Sequence, residues 1–69
     1  MDNLIVTFLD LLNEYCVKET TNIFTSKNFN FCSLIYNEKE NKVLLFNSIS
    51  GSLMKTFNDI KTLETFLKL

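Results

Sequence analysis

The sequence predicts an α+β domain of element order α-β-β-β-α: a three-stranded antiparallel sheet packed with an N-terminal and a C-terminal helix, residues 1–69 forming one unit. Three observations carry this reading. Apolar residues recur at helical spacing over residues 3 to 18, and again over residues 58 to 69. Between them lie two apolar runs rich in β-branched and aromatic residues, separated by a short polar segment. Helices flanking an antiparallel meander are a common layering of α+β domains.

The first helix is expected over residues 3 to 18. Leu4, Ile5, Phe8, Leu9, Leu11, Leu12, Tyr15 and Cys16 approach an i, i+3, i+4, i+7 pattern. Asp2 or Asn3 is a suitable N-cap. Asn3, Asp10, Asn13, Glu14 and Lys18 fill the opposite face, and the helix should fray at Glu19-Thr20-Thr21-Asn22, where β-branched and short polar residues accumulate. Residues 23 to 28 are compatible with a loop, a short edge strand or a helix end. Strands are expected over 29 to 36 and 42 to 49, joined at the polar turn Asn37-Glu38-Lys39-Glu40-Asn41. Ser50-Gly51 marks a second turn, since Gly accepts positive φ freely. Leu53 to Phe57 form a third strand. In the last segment Asn58 or Asp59 caps a helix on which Ile60, Leu63, Phe66 and Leu67 share a face.

Size and composition bound the function. A domain of about 60 residues buries only roughly 60% of its unfolded surface, so a very apolar core or association is needed to stabilise it. The chain is 46% hydrophobic, too apolar for disorder. Its seven lysines are scattered against eight acidic residues, with no basic stripe of the kind that grips a phosphate backbone. Arg, Pro, Ala, Trp, Gln and His are absent, while Asn and Phe abound. This bias follows AT-rich codons and suggests a low-GC bacterium, a phage or mobile element, or an AT-rich protist or virus. The start lacks a basic n-region, and no apolar run reaches the roughly 18 residues that span a membrane, so the expected location is cytoplasmic and off the membrane. Cys16 and Cys32 are then reduced thiols; a bridge between them is the alternative.

Without His, a structural zinc site lacks most of its N/S ligands, and the two cysteines do not form a Cys-x-x-Cys pair. Residues 37–41 lack the oxygen spacing of a calcium loop. A Ser, Thr or Cys nucleophile lacks its usual histidine base. The single Gly51 cannot build a phosphate-cradling loop. The expectation is a protein that is not an enzyme and takes no cofactor, metal or small-molecule substrate.

The α-β-β-β-α order is similar to that of the double-stranded-RNA-binding domain. That family carries a Gly-Pro-x-His-type loop and a Lys-rich start to its last helix. This chain has no Pro or His, and its last helix opens Asn58-Asp59-Ile60-Lys61, with one Lys. The order is therefore shared without the motifs. Nucleic-acid binding, with Phe29, Phe31, Tyr36 and Phe46 stacking on bases, is an alternative function. A structural subunit of a larger assembly is another.

The strands themselves hold the main clue. Phe29, Phe31, Ser33 and Ile35 point one way from the first strand, and Cys32, Leu34 and Tyr36 the other; the second strand sets Val43, Leu45 and Ile49 against Leu44 and Phe46. If both helices cover one face, the other is an apolar patch of the sort that marks an interaction site. The expected function is a small non-enzymatic protein-interaction module. It either self-associates as a homodimer or acts as a phage- or mobile-element-encoded regulator or inhibitor of a host protein. Leu34, Tyr36, Leu44 and Phe46 are the candidate partner-binding residues.

Overall fold

A computed structural model describes residues 7–28 and 31–69. The described elements run α1 (Phe8–Tyr15), β1 (Cys16–Lys18), β2 (Ile23–Ser26), β3 (Cys32–Asn37), β4 (Lys42–Asn47), β5 (Leu53–Phe57) and α2 (Ile60–Leu67). The strands form one antiparallel meander in the order β1-β2-β3-β4-β5. The α+β class holds, but the expected three-stranded sheet is corrected to five strands, and the likeness of order to the double-stranded-RNA-binding domain goes with it.

The two extra strands come from segments where local signals are weak. Thr7 opens α1 with a capping box: its hydroxyl accepts from Asp10 N–H at 3.1 Å, and the Asp10 carboxylate accepts from Thr7 N–H at 3.0 Å. The expected cap at Asp2 or Asn3, with Leu4 and Ile5, lies outside the described residues. At the other end Cys16 is already extended (φ −128°, ψ 162°) while its N–H still donates to Leu12 O. Helix passes into β1 with no connecting residue, so the apolar spacing through Tyr15 and Cys16 hides the change of backbone. The polar stretch expected to fray the helix is instead a chain reversal, with Glu19 N–H and Thr20 N–H both donating to Ile23 O, at 2.8 and 3.2 Å. The ambiguous residues 23 to 28 then supply β2. Of the strand expected over 29 to 36, Phe29 and Asn30 lie outside the described residues, Phe31 precedes β3, and β3 itself starts at Cys32.

The remaining turns follow their side chains. Asn37 Oδ1 accepts from Glu40 N–H at 3.0 Å, and Asn41 takes φ 53°, a left-handed conformation that asparagine tolerates. After β4, Asn47 Oδ1 accepts from Ile49 and Ser50 N–H at 2.8 and 3.0 Å, and Gly51 supplies φ 79°. Asp59 caps α2 as expected, its carboxylate accepting from the N–H and hydroxyl of Thr62 at 3.0 and 3.1 Å. The far end of α2 is tied across the chain: the Asn28 side-chain amide donates to Leu67 O at 3.3 Å and to Leu69 O at 3.5 Å.

Register decides which side chains meet. One cross-strand row runs Lys18, Phe24, Leu34, Leu45, Lys55, and a second runs Tyr36, Val43, Phe57. Phe24, Leu34, Leu45, Val43 and Phe57 are buried, in one cluster with Phe8, Leu11 and Leu12 of α1 and Leu63 and Leu67 of α2. Both helices therefore lie on this face of the sheet, and α1 also touches α2. The other face carries no layer among the described residues.

This sidedness separates Leu34 from Leu44. Leu34→Ala, at a position 0% exposed, is expected to lower the unfolding free energy by roughly 2–5 kcal/mol. Leu44→Ala, half-buried on the opposite face, should cost only about 1 kcal/mol. Urea titrations of the two variants measure the difference.

Candidate interaction surface

The face away from the helices is built from the alternate residues of each strand. Its register places Ile23, Ile35, Leu44 and Thr56 in one row across β2 to β5, and Val17, Thr25, Ser33, Phe46 and Leu53 in a second across all five strands. A shift in register between Leu45 and Phe46 brings Leu53 opposite Phe46. The centre of this surface (Ile23, Ile35, Leu44, Phe46) is half-buried by its own neighbours, and Val17 and Leu53 at the edges are exposed. Phe31 and Ile49 are exposed where β3 and β4 end, held together by Ser48 N–H donating to Phe31 O at 2.8 Å. The result is a broad apolar and hydroxyl-bearing face.

The four residues expected to bind a partner divide between the two faces. Leu44 and Phe46 lie on the open face. Leu34 is in the core and has no exposed surface. Tyr36 is on the helix-covered side, half-buried, its ring 6.2 Å from that of Phe8 and its hydroxyl donating to Asn41 Oδ1 at 3.3 Å. Leu44 is instead flanked by Ile35, and Phe46 by Ser33. Grouping Leu34 and Tyr36 with Leu44 and Phe46 sets β4 one residue out of register with β3, which exchanges its faces. The length of the turn carries the signal: a four-residue loop of 38–41 pairs Asn37 with Lys42 and hence Leu34 with Leu45. Ile23 falls in the segment that the sequence leaves open between loop, short edge strand and helix end, and Val17 falls in the expected first helix, so neither is assigned a sheet face by local pattern.

The sheet has two edges. β1 is three residues long, whereas β5 offers five, and Leu53 and Met54 are each 55% exposed. Each edge strand places one lysine, Lys18 or Lys55, at the end of the core row on the helix-covered side. Such inward-facing edge charges discourage edge-to-edge aggregation. Lys55 Nζ stands 5.6 Å from the centroid of the Phe57 ring. Beside β5, a groove of about 410 Å³ runs to α2, lined in part by Lys55, Asp59, Lys61, Thr65, Phe66 and Leu69.

The charges elsewhere are local. Lys42 pairs with Glu40, and Lys68 with Glu64 one helical turn away. Ser52 and Lys55 have the Ser-x-x-Lys spacing of a serine–lysine nucleophile pair. Here the three residues are climbed in extended chain, about 10 Å, and the Ser52 hydroxyl instead accepts from Ser50 Oγ at 3.1 Å. Among the described residues no three of Cys, Asp and Glu converge as a metal cluster, and no helix is long and apolar enough to cross a membrane. Both cysteines are free thiols. Cys16 is buried, and burial pushes its pKa from 9.0 up to about 11, Lys27 opposing slightly.

Comparisons with protein-family models, curated proteins and solved structures found no match.

The thiols supply a check on the fold. With the folded pKa raised, the protonated thiol is favoured, so its contribution is complete below about pH 9 and is lost as pH rises through about 11. Unfolding free energy should fall across that window, and Cys16→Ala should flatten the slope. At pH 8, iodoacetamide should modify half-buried Cys32 first and Cys16 only upon unfolding, as read by mass spectrometry.

Proposed function

We propose that this protein is a small, non-enzymatic, cytoplasmic protein-interaction module whose open sheet face is its recognition surface. The observation that supports the reading is the placement of both helices on one side. It leaves Ile23, Ile35, Leu44 and Phe46, flanked by Val17 and Leu53, without a covering layer among the described residues. Contiguous apolar surface on a small domain is a common mark of a protein contact. The hydroxyls of Thr25, Ser33 and Thr56 interrupt it with polar points, as in interfaces that form between separately folded proteins. The partner is a second copy or a host protein, and the AT-rich composition suits a phage- or mobile-element-encoded regulator or inhibitor.

A double variant, Leu44→Asp with Phe46→Asp, tests the face. It should keep the far-UV circular dichroism of the native protein, because neither side chain belongs to the core cluster. It should also lose the association that the native protein shows, read as self-association by sedimentation equilibrium or as capture of a defined partner from the source cell. A native protein that stays monomeric, and that captures nothing the double variant fails to capture, overturns the reading. Binding to mixed DNA or RNA that weakens steeply with salt would replace it with nucleic-acid recognition.

A further inference from the structure

We infer that the β5 edge is a second binding site, distinct from the open sheet face, that accepts an extended acidic peptide as a sixth strand. No strand pairs with the outer side of Leu53–Phe57 among the described residues, so the outward backbone N–H and C=O groups of this strand lie at a sheet edge. An added strand would satisfy those groups by main-chain hydrogen bonding, the source of affinity in β-strand addition.

The side chains around the edge specify the occupant. In an antiparallel or parallel pair, alternate residues of the incoming strand fall on the helix-covered side, next to Lys55 and over the groove toward α2. Lys55 and Lys61 both line this groove, and neither has a carboxylate partner among the described residues. The one acidic side chain lining it, Asp59, is turned to the N–H and hydroxyl of Thr62 at the start of α2 and offsets only one of the two lysines. The local charge therefore favours an anion. Two residues beyond Lys55 stands Phe57, its ring 5.3 Å from that of Phe66, so the incoming residue opposite it meets the apolar wall of the groove. The chemistry that fits is a carboxylate and a large apolar residue separated by one position.

The same lysine disfavours a second copy. Two β5 strands paired antiparallel about their centre would set Lys55 directly against Lys55, and like charges opposite one another destabilise a sheet. Repulsion toward its own edge and attraction toward a carboxylate follow from one side chain.

The test uses an acetylated, amidated heptapeptide, Ser-Thr-Glu-Thr-Phe-Thr-Ser, and its counterpart with Lys in place of Glu. Each is titrated into the full chain labelled with nitrogen-15. The expected result is amide shifts confined to β5, Phe66 and Leu69, with the Glu peptide bound about fivefold more tightly than the Lys peptide. Lys55→Glu should invert the preference, Lys55→Gln should weaken it, and Lys55→Gln with Lys61→Gln should abolish it, with unchanged circular dichroism in all three. The Leu44→Asp, Phe46→Asp protein should bind the Glu peptide like the native chain, which separates this site from the open face. Absence of binding, equal affinity for the two peptides, or shifts on the open face instead of β5 would each overturn the inference. So would β5 shifts that grow with protein concentration before any peptide is added, because a second copy would then occupy the edge.

Discussion

Everything in this fold follows from the register of the β3–β4 hairpin. With Asn37 opposite Lys42, Leu34 meets Leu45 and Tyr36 meets Val43. Those pairs continue outward to Phe24 on one side and to Phe57 on the other, giving the sheet a single apolar side. The stripes of α1 and α2 find their partners only there. A slip of β4 by one residue would set Leu44 opposite Leu34 or Tyr36 and send Val43 and Leu45 to the other side, so the four-residue loop that fixes the pairing also fixes which residues of β4 are left on the open side.

Small size makes that arrangement consequential. Two helices of eight residues each cover one side of five strands and no more. The extra strands β1 and β2 widen the sheet, which enlarges the core under α1 and enlarges the uncovered face by the same step. The tie from Asn28 to the end of α2 shows how the connection after β2 contributes, by holding the second helix over the core. The edges are treated differently from the face: Lys18 and Lys55 guard the ends of the core row, while the open side meets charge at the Glu19 carboxylate on the Thr25 hydroxyl and at Lys42 opposite Asn37, beside the apolar Ile23, Ile35, Leu44 and Phe46.

Much of this was legible in the residues. The helix caps and turns depend on contacts within four positions, and Asp59, the Asn37–Asn41 turn and the Ser50-Gly51 reversal stand where local chemistry places them. The start of α1 is set by Thr7 and Asp10, a pair the apolar pattern upstream concealed. Cys16 shows the limit most directly. It satisfies helical spacing with Leu12 and still belongs to a strand, because pairing with Ser26 ten residues away outweighs one more helical turn.

The sequence by itself determined the α+β class, the β3–β4–β5 meander, the terminal helices and the lack of the residues that common catalytic, metal and phosphate sites require. Those properties rest on composition and on interactions a few residues long. Only the tertiary structure decided that the sheet has five strands, that both helices share a side, and that Leu44 and Phe46 face outward while Leu34 does not. Short strands such as Cys16–Lys18 and Ile23–Ser26 have too little pattern to declare themselves and exist through their neighbours. In strands apolar on both sides, hydrophobicity cannot distinguish inside from outside; the cross-strand register and the placement of the helices make that choice.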